Sequence, residues 1–122
     1  MNLTPSEEII MHFIWKREKA LMKDILNDFP EPKPVKTTVA TMLKRMTEKG
    51  FISYEQIGVK RVYYPLIKKK DYSSKRVNRL IQNFFDNSAA QLASFCTREN
   101  DLSKDELEKL RSIIDEQIKK KS

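Results

Sequence analysis

Hydrophobic residues near the start of the chain recur every three or four positions, which is the spacing of one face of a helix. This first stripe comprises Ile9, Ile10, Phe13 and Ile14. Thr4 can cap the helix, Pro5 suits its first position, and Glu7 completes a capping box with Thr4. A shorter second stripe comprises Leu21, Ile25, Leu26 and Phe29. Pro30 ends that second helix, because the residue before a proline is disfavoured in the helical conformation.

A third helix is predicted from Val35 to Gly50, after the stiff turn EPKP at residues 31–34. Gly50 suits the left-handed position that ends many helices. At about 100° per residue, one sector of this helix is apolar and should face the core. That sector comprises Val35, Val39, Met42, Leu43 and Met46. Residues 51–56 and 60–64 are rich in β-branched and aromatic residues around Gly58, so they predict a hairpin packed against the helices.

The second half of the chain shows helical patterns after a linker, LIKKKDYSS, at residues 66–74. The fourth helix carries the apolar stripe Val77, Leu80, Ile81, Phe84 and Phe85, which Leu92 and Phe95 extend. Asn87 and Ser88 bend or break this helix. Ser103 and Glu106 form a capping box for a last helix. Its apolar side comprises Leu107, Leu110, Ile114 and Ile118.

The order helix, turn, helix, hairpin is that of a winged helix-turn-helix. We therefore predict a mainly α fold with a small β-hairpin, in which a winged helix-turn-helix is followed by C-terminal dimerisation helices. Residues 1–70 form the first domain and residues 71–122 the second. The predicted dimer interface comprises Leu80, Ile81, Phe84, Phe85, Leu92, Phe95, Leu107, Leu110, Ile114 and Ile118. These residues are too many for two or three helices without another layer, although packing back on the winged helix as a monomer is the alternative.

The side of the third helix that faces away from the core is short, hydrogen-bonding and cationic. A solvated surface usually mixes Glu with Lys at helical spacing, whereas three threonines lower helix propensity without benefit on a free surface. Threonine can reach a base edge, and Lys or Arg can neutralise phosphate. The predicted base-side group is Thr37, Ala40, Thr41 and Lys44, with Thr38 on the flank. The predicted phosphate contacts are Lys33, Lys36 and Arg45, with Lys60 and Arg61 in the wing.

Net charge supports a polyanionic partner for the N-terminal half. The 122-residue chain carries +7, and residues 1–70 hold 14 Lys and Arg against 8 Asp and Glu. An acidic membrane surface or solubility alone are the alternatives for such a charge balance.

Cys96 is the single cysteine, and no apolar run approaches the roughly 18 residues of a membrane span. We therefore expect a cytoplasmic protein without membrane insertion.

Catalysis is not expected from this sequence. His12 is the single histidine, and Cys96 with Glu99 and Asp101 is too sparse for a metal site. No catalytic residue, metal or cofactor is predicted. The function expected is sequence-specific binding of a double-stranded DNA operator by a homodimer. A protein-interaction module and a non-specific nucleic-acid binder are the alternatives, and sequence preference discriminates among them.

Four segments of the chain resemble the penicillinase-repressor (BlaI/MecI) family of winged-helix transcriptional regulators. They are LTPSEEIIMHFIW, TTVATMLKRMTEKGFI, GVKRVYYPLI and DLSKDELEKLRSII. The resemblance implies a homodimeric repressor on an inverted-repeat operator, with Thr38, Thr41 and Arg45 at the family's recognition positions. Ala40 stands where several relatives have a larger polar residue, which affects base preference.

The resemblance also implies control by a sensor-linked protease that cuts between the C-terminal helices before a phenylalanine. The corresponding bond here is Ser94–Phe95. Relatives often have Asn before that Phe, so the serine is a departure from the family pattern. Cleavage at this bond is a hypothesis that the resemblance alone supports.

Overall fold

The structure is a computed structural model that describes residues 2–122. These residues form six helices and three strands. The helices are α1 Pro5–Arg17, α2 Met22–Asp28, α3 Lys36–Glu48, α4 Lys69–Phe84, α5 Ala89–Glu99 and α6 Lys104–Lys121. The strands are β1 Ala20–Leu21, β2 Ile52–Ile57 and β3 Lys60–Pro65. The predicted fold class, mainly α with a winged helix-turn-helix at the N-terminal end, is confirmed.

Helix α1 begins with the capping box that the sequence predicts. The Glu7 N–H donates to Thr4 Oγ1 at 3.2 Å, and the Thr4 N–H donates to Glu7 Oε1 at 2.8 Å. The buried face differs from the predicted stripe, because Ile9 is 46% exposed. The face that packs inward comprises Glu7, Ile10, Met11 and Ile14, with Phe13 partly buried. Helix α1 therefore buries one carboxylate as well as apolar side chains.

Helices α2 and α3 are shorter than predicted. Leu21 and Phe29 lie just outside α2, at its N-cap and C-cap. Val35 is the N-cap of α3 and is 64% exposed, so its assignment to the core stripe was wrong. Val39, Leu43 and Met46 are fully buried and Met42 is partly buried, as the rest of that stripe requires.

The sheet has three antiparallel strands in the order β1-β3-β2, rather than the two that the sequence predicted. Ala20 pairs with Tyr63 and Leu21 with Val62, so the short β1 covers the free edge of β3. A two-residue strand was missed because it is too short to show alternation. The hairpin is closed between Ile57 and Lys60. Gly50 and Gly58 adopt positive φ of 82° and 62°, which glycine allows without steric cost.

The core lies among α1, α2, α3 and the sheet. Its fully buried apolar residues include Ile10, Met11, Ile14, Ile25, Val39, Leu43, Met46 and Ile52. Tyr63 and Tyr72 close this core with small exposed fractions of 6% and 8%. Helix α3 and the β2–β3 hairpin are thus fixed to one apolar cluster.

Helix α4 begins at Lys69, so the linker predicted at residues 66–74 was wrong in its second half. Tyr72 anchors the start of α4, because its ring is 5.8 Å from Phe51 and its hydroxyl bonds Glu8 Oε2 at 2.5 Å. The Trp15 indole N–H donates to the Ile67 carbonyl at 2.8 Å. The first compact unit extends to Ser74 and the second is Lys75–Ser122.

The second compact unit contains the rest of α4, with α5 and α6. The predicted break at residues 87–88 is present, and Ser88 caps α5 by accepting from the Gln91 N–H at 3.1 Å. Ser103 likewise accepts from the Glu106 N–H at 3.1 Å. None of residues 75–122 is buried. Across residues 2–122, no helix combines the length and the apolar character needed to cross a membrane.

Candidate nucleic-acid interface

The outer face of α3 is uncovered along its whole length. Before Glu48, which is also exposed, the exposed residues are Lys36, Thr37, Thr38, Ala40, Thr41, Lys44 and Arg45. None of them is acidic, and Glu48 is the first carboxylate along the helix. The buried residues Val39, Leu43 and Met46 hold the opposite side, so this face cannot turn inward. The face therefore combines hydrogen-bonding groups with positive charge, as a surface for a polyanion requires.

The N-terminal end of α3 has free hydrogen-bond donors. Val35 is its N-cap and supplies no side-chain cap, so within the described residues the N–H groups of Lys36 and Thr37 have no acceptor, whereas the Thr38 N–H donates to the Val35 carbonyl at 3.1 Å. Such N–H groups, with the positive end of the helix dipole, favour an anion. Lys36 adds a full charge at the same end.

The side chain of Thr41 is oriented by a hydrogen bond to the backbone of its own helix. Its hydroxyl donates to the Thr37 carbonyl at 2.9 Å. The donor is used, so the oxygen remains an acceptor and the methyl group remains free on the exposed face. An acceptor and a methyl group match an adenine or cytosine amino group and a thymine methyl, respectively.

An open cleft joins α3 to the wing, which is the β2–β3 hairpin. Its volume is about 450 Å³. The lining includes Lys36 and Ala40 from α3, and Lys60 and Arg61 from the wing. Lys23 of α2 also lines it, and no Asp or Glu occurs among its described lining residues. Four of the predicted interface residues are thus brought together on two walls of one positively charged cleft.

Arg61 is held by an aromatic ring. Its guanidinium carbon lies 4.4 Å from the ring centroid of Tyr54. The Tyr54 ring in turn lies 5.6 Å from the ring of the buried Tyr63. A guanidinium placed over an aromatic ring keeps N–H donors available for phosphate.

Lys33 lies outside this cleft and has other partners. Its ammonium donates to the carbonyl oxygens of Leu26 at 3.3 Å, Asn27 at 3.0 Å and Phe29 at 2.7 Å. An ammonium has three donors, and all three are used at the C-terminal end of α2. Lys33 therefore contributes charge in this conformation, with no donor left for a direct phosphate bond.

None of the predicted dimer-interface residues is buried within the single chain, and seven of the ten are exposed. Phe84 is 75% exposed, Ile118 is 62% exposed and Ile114 is 53% exposed. Leu80, Phe95, Leu107 and Leu110 are also exposed, whereas Ile81, Phe85 and Leu92 are half-buried. The rings of Phe85 and Phe95 lie 5.5 Å apart, which links α4 to α5.

Comparison with known proteins agrees with this architecture. The profile of the penicillinase repressor family matches residues 3–116. The chain belongs to the penicillinase repressor family. The methicillin resistance regulatory protein MecI of Staphylococcus aureus strain N315 is 26% identical over 114 residues, which are 93% of each chain. The penicillinase repressor of Bacillus licheniformis is 23% identical over 125 residues, which cover 98% of this chain and 94% of that protein.

A solved structure described as "CopR Repressor Structure" is 35% identical. The match covers 56% of this chain and 100% of that chain, with a TM-score of 0.47. The penicillinase repressor family is one of transcriptional repressors, and membership supports a DNA-binding repressor function for this chain.

The bond that the family resemblance marks for proteolysis lies within α5. Ser94 is half-buried and Phe95 is 51% exposed. Thr97 Oγ1 donates to the carbonyls of Ala93 at 2.9 Å and Ser94 at 3.1 Å. A helical bond is harder to cut than an exposed loop, so cleavage there requires α5 to open locally.

Lys23 and Tyr54 are functional candidates that the sequence analysis missed. Lys23 is an exposed cation on α2, and the first helix of a helix-turn-helix motif crosses the duplex backbone, so the position of Lys23 in the sequence could have indicated a phosphate contact. Tyr54 could not be identified from the sequence, because its proximity to Arg61 depends on strand pairing.

His12 is exposed, with its ring 5.3 Å from Trp15. Residues 2–122 contain no group of three or more His, Cys, Asp or Glu positioned for a metal ion.

Proposed function

We propose that this chain is a sequence-specific DNA-binding transcriptional repressor that acts as a homodimer on an inverted-repeat operator. The observation that carries this proposal is the outer face of α3, which has no acidic residue before Glu48, beside the cationic cleft. Thr37, Ala40, Thr41 and Lys44 face base edges in the major groove, with Thr38 on the flank. Lys36, Arg45, Lys60 and Arg61 neutralise phosphates, joined by Lys23.

Dimerisation is supported by the second compact unit. None of residues 75–122 is buried in the single chain, although α4 and α6 carry long apolar stripes. A second copy of the same helices would cover these stripes, since a two-fold interface pairs the same surface from each protomer. Two recognition helices at a fixed spacing would then match an operator with inverted half-sites.

Release from the operator by a sensor-linked protease remains part of the proposal. Cutting Ser94–Phe95 would separate α4 from α6, which carry most of the proposed interface, and the dimer would dissociate. The protease would need an opened α5, so helix opening sets the rate of cleavage. The test is mass spectrometry of the chain from induced cells. An intact chain in cells whose operator is already free would refute proteolytic release and leave operator binding untouched.

The decisive experiment is selection of bound fragments from the source genome by purified protein at about 150 mM salt, a concentration at which non-specific binding is weak. Enrichment of one inverted repeat, with half-sites about one helical turn apart or a near multiple, is expected. Uniform recovery of all fragments would favour a non-specific binder. Recovery of none would favour a protein-interaction module.

A further inference from the structure

The tip of the wing presents an apolar residue to solvent. Gly58 and Val59 form the two-residue loop between the paired residues Ile57 and Lys60. Gly58 has φ of 62°, and glycine at the first loop position is the pattern of a type II′ turn. Val59 is 97% exposed and Ile57 is 59% exposed. The turn therefore holds a β-branched side chain almost fully exposed at the tip of the hairpin.

Val59 is also part of the cationic cleft. It lines the same cleft as Lys36 and Ala40 of α3, on the wall that carries Lys60 and Arg61. Single exposed apolar residues are common on protein surfaces and need no explanation by themselves. This residue differs because it borders the surface proposed for DNA.

The charges on the walls of the cleft indicate which part of the DNA would lie in it. Lys36 stands on one wall and Lys60 and Arg61 on the other, so both walls attract a single sugar-phosphate strand. With α3 in the major groove, that strand separates the major groove from the adjacent minor groove. The wing tip lies beyond the strand and therefore meets the minor groove. This step rests on the proposed function.

We propose that Val59 is a specificity-determining residue that favours A·T base pairs in the minor groove beside each half-site. In that groove A·T pairs present acceptors alone, whereas G·C pairs add the N2 amino group of guanine. A valine side chain offers no acceptor to this amino group. Close approach of Val59 would strip water from the amino group without replacing its hydrogen bond, which penalises G·C.

The test uses the operator obtained by fragment selection, with the base pair under the wing made A·T, G·C or inosine·C. Inosine lacks the N2 amino group and otherwise retains the G·C major-groove pattern. The wild-type protein should bind the A·T and inosine·C duplexes with equal affinity. Each of these affinities should be at least about fivefold higher than that for the G·C duplex. Fluorescence anisotropy of labelled duplexes measures the three affinities.

Val59→Thr keeps the shape of the side chain and replaces one methyl group with a hydroxyl, which can accept a hydrogen bond from the amino group. This variant should bind all three duplexes within about twofold of one another. Ile9→Thr is the matched control, because Ile9 is an exposed apolar residue of α1 that does not line the cleft. It should keep the wild-type preference.

Three results would overturn the inference while leaving operator binding intact. The wild type could bind the three duplexes equally, or Val59→Thr could retain the full preference. A preference for A·T over both G·C and inosine·C would assign the effect to groove shape instead. Failure of the wild-type protein to prefer any operator would overturn the proposed function and this inference together.

Discussion

At the residue scale, Glu7 serves two purposes in one position. Its Oε1 accepts the N-terminal hydrogen bond from the Thr4 N–H at 2.8 Å and lies 2.6 Å from Lys49 Nζ. Glu7 is fully buried, and within the described residues its Oε2 accepts no hydrogen bond. The carboxylate thus caps α1 and ties it to the C-terminal end of α3, which supports the orientation of α3.

Lys49→Met should lower the free energy of unfolding by about 3 kcal/mol, because it leaves a buried carboxylate without its partner. Urea unfolding followed by circular dichroism measures the change. Lys16→Met removes an exposed lysine from α1 and serves as the control, with an expected change within about 0.5 kcal/mol. Equal stability of the two variants would show that the Glu7–Lys49 pair contributes nothing.

Glu7 should also make stability depend on acid. Burial raises the pKa of Glu7, but hydrogen bonds from Lys49 and Thr4 and the charge of Lys49 lower it by more, so the net pKa falls below 4.5. The unfolded chain then takes up the proton first as pH falls. The stabilisation is complete above the unfolded pKa and is lost as pH drops through the folded pKa.

Urea unfolding between pH 3 and 7 tests this dependence. Glu7→Gln should flatten the acid limb, whereas Glu55→Gln, at an exposed position of β2, should reproduce the wild-type curve. Some slope should remain, because the hydrogen bond from Arg17 to Asp28 lowers the pKa of Asp28 as well. An unchanged acid limb in Glu7→Gln would contradict the pKa assignment.

At the element scale, the buried side, the outer face and the N-terminal end of α3 have different roles. The buried stripe secures the helix in the core, the N-terminal end offers free N–H groups and Lys36, and the outer face presents Thr37 and Thr41. Phosphate contacts set affinity for any duplex, whereas contacts to base edges set discrimination. Substitutions in the two regions should therefore differ in kind.

Thr41→Ala should reduce the ratio of operator to random-duplex affinity about fivefold, whereas Lys36→Ala should weaken both duplexes about equally. Thr47→Ala is the matched control, because Thr47 Oγ1 donates to the Leu43 carbonyl at 2.8 Å, as Thr41 does to Thr37. It should leave the ratio unchanged. Equal losses for Thr41→Ala and Lys36→Ala on both duplexes would contradict the proposed roles.

At the scale of the whole molecule, the two compact units differ in how they bury apolar surface. The first has a closed core around Ile14, Leu43 and Ile52, whereas residues 75–122 contain no buried side chain. The excess charge lies in the N-terminal half and the unpaired apolar stripes lie in the C-terminal half. This segregation is the basis for assigning DNA to one unit and a second protomer to the other.

Ile114→Asp should convert a dimer of about 29 kDa, twice the chain mass of 14.4 kDa, into a monomer at micromolar concentration. A carboxylate in the centre of an apolar interface is costly to desolvate. Ser112→Asp adds the same charge about 155° from the mean of the α6 stripe and should remain dimeric. Light scattering measures the mass, and a wild-type mass near that of one chain would refute the dimer.

DNA binding by the dimer should weaken steeply with salt. If about eight of the ten proposed cations per dimer touch phosphates, log affinity should fall with log salt at a slope near −7. A slope close to zero would be incompatible with the proposed phosphate contacts.

Local patterns in the sequence were sufficient to predict most of the helices and which side of α3 is buried. The capping box at Thr4 and Glu7, the break before Ser88 and the apolar stripe at Val39, Leu43 and Met46 all depend on residues within a few positions of one another. Such features follow from helix periodicity and from hydrogen bonds between near neighbours. The exposure of the α3 outer face follows from the same periodicity.

Tertiary structure alone decided which side chains from distant segments meet. Lys49 reaches Glu7 across 42 positions, Trp15 reaches Ile67 across 52, and β1 pairs with β3. Arg61 stacks on Tyr54 because of strand register, and Lys33 turns to the carbonyls of α2. These contacts depend on how helices and strands pack in three dimensions. Periodicity determines which face of an element is apolar, but the packing of that face determines which residue lies opposite.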